Sequence, residues 1–290
     1  MSRQRAVVFD LETVPDLAAG RELIQAAPDA ADEQVRRTLG ERYARAGEDP
    51  ALAFVKTPLQ KIVCVGAIYA ERGDRGPWMV TRSGVVHVAQ RPERELVQSF
   101  IDSLSETPSP QLVGFNSSAF DLPVLRYRAF AMAIPAQAIH GGNGKDYWYR
   151  FGRDHLDICD VISGFGASTR PSLAELAAIS GIPAKIGGID GSQVEAMVAA
   201  GRLEEVAAYC DTDIFVTYFL FLRFMLVTGG LGLDGYTASL EHLHQHIADR
   251  LSKRPHLTAY LDTLGTMIAA IGQLRASPGN IPKAEIAQSE

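Results

Sequence analysis

No apolar run in the 290 residues approaches the roughly 20 that a membrane-spanning helix needs. The start, MSRQRAVVFDLE, has neither an apolar h-region nor a cleavage-site pattern. Membrane insertion and export are therefore not expected, and the cytoplasm is the expected location. Cysteine is scarce. Cys64, Cys159 and Cys210 form no CxxC pair, are odd in number and sit in apolar surroundings. They are expected to be buried, reduced thiols, with neither a disulfide framework nor a zinc site. Positive charge is also lacking, with a net charge of −6. That argues against a protein that coats nucleic acid, which would be basic. It leaves open an enzyme whose acidic residues face cations.

What is present is a substantial apolar fraction, 47% of residues, enough for a sizeable core. Strand-like runs are predicted at 5–10, 61–71, 78–88, 111–116 and 155–162. Residues 17–58 are Ala-rich and charged with helical spacing, and predict a helical insertion after the first strand. Helices are predicted at 92–104, with Pro92 at its start, at 122–133 and at 203–227, with one or two more over 237–274. Ser172 with Glu175, and Ser192 with Glu195, have the spacing of capping boxes. The last fifteen residues have the composition of a frayed tail. Three consecutive strands favour antiparallel pairing, and the later strands, separated by helices, favour parallel crossovers. The expected fold class is α/β, a mixed five-stranded sheet flanked by helices. The expected division is a domain over 1–227 and a helical C-terminal extension over 228–290, in the same globule.

Three separated segments carry chemistry: VVFDLET with Asp10 and Glu12, LVGFNSSAFDLPVL with Asp121, and YCDTD with Tyr209 and Asp213. Asp10 and Glu12 are two apart on a strand and share a face. Asp121 lies just past a strand, next to a helix start. Tyr209 and Asp213 are one turn apart on a helix. Each has a plain alternative. Asp10 and Glu12 could close a strand, Asp121 could cap its helix, and Tyr209 could be core. Together, oxygen-only ligands converging at strand ends point to two hard divalent cations, Mg2+ or Mn2+, that assist phosphodiester hydrolysis.

These segments resemble the three exonuclease motifs of the DEDD superfamily, tyrosine subtype. The chain resembles the proofreading 3'–5' exonuclease domain of B-family DNA polymerases and, more narrowly, the stand-alone bacterial proteins described as predicted 3'–5' exonucleases related to that domain. HLDICDVIS, SLAELAAISGIPAK and DGSQV fit the same group, and the resemblance covers about residues 5–227. It implies a ribonuclease-H-like fold and 3'–5' exonuclease activity on DNA, with single strands expected. It implies that Asp10, Glu12, Asp121 and Asp213 bind metal and that Tyr209 orients the attacking water. In the histidine subtype the catalytic residue stands five before the last aspartate; here that residue is Ala208. Leu11, Thr13, Asn116 and Phe120 match positions near the substrate strand. The insertion at 17–58 and the segment after Val227 map onto no part of the polymerase domain. An exoribonuclease of the same superfamily and a catalytically silent nucleic-acid-binding protein are the alternatives.

The stretch KDYWYRFGRDH (145–155) interleaves aromatic and basic residues. Tyr147, Trp148 or Tyr149 could stack on bases while Arg150 and Arg153 meet phosphates; a hydrophobic flap is the equal alternative. Lys185 is a further candidate phosphate contact. Asp157 is expected to support the site from behind and Asp160 to be structural. His242 and His246 share a helix face without a third ligand, so a solvated face is expected there and not zinc.

Overall fold

In the computed structural model, residues 3–183 and 188–276 are described. Lys185 and nearly all of the C-terminal tail lie outside them. The strands are β1 (Gln4–Pro15), β2 (Gln60–Arg72), β3 (Met79–His87), β4 (Gln111–Gly114) and β5 (His155–Asp157). The helices are α1 (Leu17–Ile24), α2 (Asp32–Glu41), α3 (Glu93–Ser103), α4 (Asp121–Ala131) and α5 (Ile158–Ile162), followed by α6 (Leu173–Ile179) and α7 (Val194–Ala199). The last three are α8 (Leu203–Val227), α9 (Leu233–Ala248) and α10 (Thr258–Ala276).

The sheet order is β3-β2-β1-β4-β5. β2 runs antiparallel to both β1 and β3, while β4 runs parallel to both β1 and β5. This is the mixed five-stranded sheet expected from the element order. β1 takes the centre because both of its faces are apolar. Ala6 and Val8 point into one core; Val7, Phe9 and Leu11 point into the other. α8 covers the first face with a continuously buried run from Ile214 to Leu222. A helix this apolar on all sides belongs inside a protein. α9 and α10 cover its far side, adding Tyr236, Leu240, Leu243, Tyr260 and Leu264 to the same core. α3 and α4 cover the second face through Phe100, Ile101, Leu122 and Leu125. No helix among the described residues is long and apolar enough to cross a membrane.

Four local expectations are corrected. The strand over 155–162 stops at Asp157, which caps α5 by accepting the Asp160 N–H at 3.3 Å. The box at Ser192 and Glu195 is instead Asp190 with Gln193, and it opens a single 3-10 turn before α7. Within 17–58 the second helix ends at Glu41, and the chain folds back over it. There the backbones come so close that a Cβ on Gly40 would stand 1.8 Å from the Pro50 carbonyl. Buried Arg36 closes the fold, donating to the Pro50 and Ala53 carbonyls and pairing with Glu195 at 2.6 Å. The histidine face of α9 is not solvated. His242 Nδ1 accepts the Val80 N–H at 3.2 Å, and buried His246 bonds Ser83 at 2.9 Å. The helix thereby covers an edge strand whose backbone groups would otherwise be open to another chain.

Candidate active site

The even-numbered residues of β1 point toward α8, so Asp10 and Glu12 share the face of Ala6 and Val8. β4 pairs with β1 only as far as Val8 and Val113. Beyond that point β1 runs on alone, leaving both carboxylates at a notch between β1 and the turn that follows β4. Across β2, Asp10 stands opposite Gly66 and Glu12 opposite Cys64. A Cβ on Gly66 would lie 2.7 Å from Cys210 Sγ, so this glycine lets α8 close onto the sheet. The Cys210 thiol meets the Asp10 carbonyl at 3.8 Å. Carboxylate oxygens of Asp10 and Glu12 and the Cys210 Sγ all lie within 4.8 Å of one another. With α8 seated this way, Tyr209 and Asp213 face the notch one turn apart, the tyrosine hydroxyl against the Asp213 carboxylate.

Asp121 enters from the other helix layer. It does not cap α4: Phe120 occupies that position. The Asp121 carboxylate instead accepts the Leu11 N–H at 3.1 Å, between the two acids of β1. Its place depends on the turn after Gly114, where Asn116 takes a positive φ of 57°, a conformation that asparagine tolerates better than most residues. Asp157 clamps this turn, accepting the N–H groups of Asn116 and Ser118, both at 2.8 Å. The support expected of Asp157 thus takes the form of two charge-assisted hydrogen bonds to the backbone. Asp160 is buried and holds Arg150 at 2.6 and 2.8 Å.

Burial raises all four carboxylates, and the charge on Asp10 raises the other three further. Burial pushes Asp10 up to about 6. Burial first, then Asp10 and other neighbouring acids, holds Glu12 well above the usual carboxylate range. Asp121 and Asp213 are raised well up by burial and then by the charge on Asp10. Among the described residues no cationic side chain contributes to any of the four. Concentrated, uncompensated negative charge on oxygen donors suits hard divalent cations. The Cys210 thiol is raised too, by its hydrogen bond with Cys64 and then by burial. It stays protonated, so the donor set is oxygen and not thiolate. Tyr209 is raised by burial and then by Asp213, Glu12 and Asp10. Its hydroxyl stays neutral and acts as a donor.

The other candidates are distributed unevenly. The Leu11 side chain is buried in the core under α3 and α4. Thr13 bonds Gln60 at 3.1 Å. Asn116 accepts a hydrogen bond from Arg170 at 3.2 Å. Phe120 meets Phe54 with ring centroids 6.0 Å apart. Phe54 is 60% exposed and carries no motif in the sequence. Its one signal is the alternation of Leu52, Ala53, Phe54 and Val55, outward and inward in turn. Tyr147 is core, its hydroxyl donating to the Pro110 carbonyl at 2.9 Å, which corrects its stacking role. Trp148 is held in place, donating to the Ile139 carbonyl at 2.6 Å with Arg126 3.8 Å over its ring. It lines a cavity with Tyr127, Phe130 and His140, which none of the five acidic and tyrosine candidates lines. Asp211, two residues before Asp213, faces away and bonds His256 at 2.9 Å.

The family described as predicted 3'-5' exonuclease related to the exonuclease domain of PolB matches residues 52–264. The chain belongs to that family. The matched stretch contains Asp121, Tyr209 and Asp213; Asp10 and Glu12 precede it. A DNA polymerase of Archaeoglobus fulgidus is 26% identical over 134 residues, which are 44% of this chain and 17% of that polymerase. The chain thus spans under a fifth of the curated relative it matches. Among solved structures, the family B DNA polymerase of Pyrobaculum calidifontis is 19% identical with a TM-score of 0.48, over 86% of this chain and 29% of that one. E. coli exonuclease I in complex with a dA16 oligonucleotide is 14% identical with a TM-score of 0.34, over 74% of this chain and 44% of that one.

Proposed function

We propose that this member of the predicted exonuclease family is an active 3'–5' exonuclease of the tyrosine subtype. It would remove nucleotides from the 3' end of single-stranded DNA and depend on two divalent cations, Mg2+ or Mn2+. One observation carries the reading: Asp10, Glu12, Asp121 and Asp213 converge from a strand, a helix start and a second helix with no cation among the described residues to offset them. Those four residues would hold the cations. Bound there, the cations supply activation of water and stabilisation of the departing 3' oxygen.

The chain's own residues do the rest. The neutral Tyr209 hydroxyl donates a hydrogen bond and so orients the attacking water; with its proton held this firmly it is no general base. Asp157 fixes the turn that delivers Asp121. Phe120 and Phe54 offer aromatic surface beside the notch for a terminal base. The family's tie to the exonuclease domain of a DNA polymerase supports DNA as substrate.

Two outcomes follow. Tyr209→Phe is expected to retain measurable activity, with kcat lowered about 100-fold, in the range of a lost positioned donor. The acid limb of its pH–rate profile is expected to stay in place, since Tyr209 does not titrate there. Asp157→Asn is expected to weaken the apparent metal affinity about 10-fold, the size of effect that supporting groups behind metal ligands have; titration of activity with Mg2+ reads this out. The proposed substrate is tested with matched DNA and RNA strands. Faster digestion of the DNA strand supports it, and faster digestion of the RNA strand makes the protein an exoribonuclease.

A further inference from the structure

Resting on that reading, we infer that the single strand leaves the carboxylates across a surface made by Tyr149, Phe151 and Phe165 with Arg150 and Arg170. Its bases would stack on the rings and its phosphates would meet the guanidinium groups.

The surface begins at the site itself. Asn116, in the turn that leads to Asp121, accepts a hydrogen bond from Arg170 Nη1 at 3.2 Å. Arg170 also pairs with Asp160. The same buried carboxylate takes Arg150 through Nε and Nη2. Two guanidinium groups share that carboxylate, and both arginines stay at the surface. Arg150 stands 5.9 Å from the centre of the Phe165 ring, Phe165 is 4.7 Å from Phe151, and Phe151 is 6.2 Å from Tyr149. The contacts therefore run without a break from the turn before Asp121 to Tyr149.

This cluster has the wrong exposure for a core. Phe151 is 62% and Tyr149 58% exposed. Phe165 is presented by an unusual backbone: Gly164, Phe165 and Gly166 all have positive φ, 60°, 58° and 89°. Glycine takes such values freely, phenylalanine does not. The turn is nonetheless closed tightly, with the Phe165 N–H on the Asp160 carbonyl at 2.6 Å and the Ser168 N–H on the Ser163 carbonyl at 3.0 Å. Side chains held against their backbone preference cluster at ligand contacts. Two exposed rings and a half-buried third, next to two guanidinium groups, offer a single strand stacking surface and phosphate partners. A separate aromatic patch, with Tyr127, Phe130 and Trp148, lacks these features. Its guanidinium, Arg126, already covers the tryptophan.

Fluorescence anisotropy with labelled DNA strands of about three to twelve nucleotides, with Ca2+ in place of Mg2+, tests the assignment. The wild-type affinity should rise with length until the strand spans the patch. Phe151→Ala should weaken binding of the longest strand about 10-fold, the loss expected for one stacking ring, and Tyr149→Ala with Phe151→Ala should remove most of the gain with length. Arg170→Ala should weaken binding of the longer strands in the same sense. Phe130→Ser, at a residue that is 90% exposed outside this path, should keep the wild-type length dependence. Unchanged affinities in the Phe151 and Arg170 variants, or loss of the length dependence in Phe130→Ser alone, would overturn the inference. Length-dependent binding by a protein that cleaves no strand would leave the path standing and overturn the proposed exonuclease activity.

Discussion

Asp213→Asn is expected to lower kcat about 1,000-fold, at the upper end of the loss caused by removing one group that stabilises charge at a reacting centre. Asp10→Asn is expected to do the same. Asparagine matches aspartate in size, and Asp213 sits at only 9% exposure on the face of α8 that packs toward β1. The substitution therefore keeps the packing and removes the charge. A loss of activity through misfolding predicts a lower melting temperature in both variants. Here the opposite is expected in the absence of metal, because each ionised carboxylate raises the cost of ionising its neighbours. A variant that is inactive and at the same time more heat-stable without metal separates the site's chemistry from its architecture. The trade of stability for function is common where like charges are held together.

The second large effect is on stability against pH and metal. Asp10 titrates at about 6 in the fold against 3.8 in the ordinary case, so its ionised form costs the metal-free protein on the order of 3 kcal/mol. Glu12, Asp121 and Asp213 are shifted in the same direction. A raised carboxylate destabilises the fold fully above its folded-state value and is relieved as pH falls through that value. Metal-free protein should therefore gain stability from about pH 8 down to about pH 5. Below that, two carboxylates held low against the cost of burial lose their contribution and stability declines: Asp160, held by Arg150 and Arg170, and Asp16, held by the Ala19 N–H and then by Arg128. Divalent cations compete with protons for the same oxygens. Mg2+ should raise the melting temperature strongly near pH 8 and little near pH 5. Melting curves in chelator and in Mg2+ across this range check both halves. A metal-free stability that is flat between these limits would contradict the account.

Much of this site is written in short-range pattern. The spacing of Asp10 and Glu12 puts both on one face of a strand, and that of Tyr209 and Asp213 puts both on one face of a helix. What the pattern leaves open is the meeting of those faces. That depends on β4 pairing with β1 only to Val8 and on Gly66 admitting α8, both long-range facts. Tyr147 and Trp148 show the reverse. Aromatic and basic interleaving at 145–155 is ambiguous in one dimension. Its members part company once the Pro110 and Ile139 carbonyls claim the hydrogen-bonding groups of those two residues. Tyr149 and Phe151 stay outside. Phe54 and Arg170 lie far along the chain from the residues they meet, Phe120 and Asn116. No local periodicity could pair them. The histidine face of α9 looks solvated in sequence for the same reason: its partner is the edge strand β3, which is distant along the chain.

The most direct test of the central claim is digestion of a 5'-labelled single DNA strand by the wild-type protein and by Asp10→Asn, with Mg2+ and with chelator. The account predicts a ladder that shortens from the 3' end in Mg2+ and is absent both in chelator and in the variant. An intact strand with the wild-type protein in either Mg2+ or Mn2+, or equal digestion by Asp10→Asn, would contradict it.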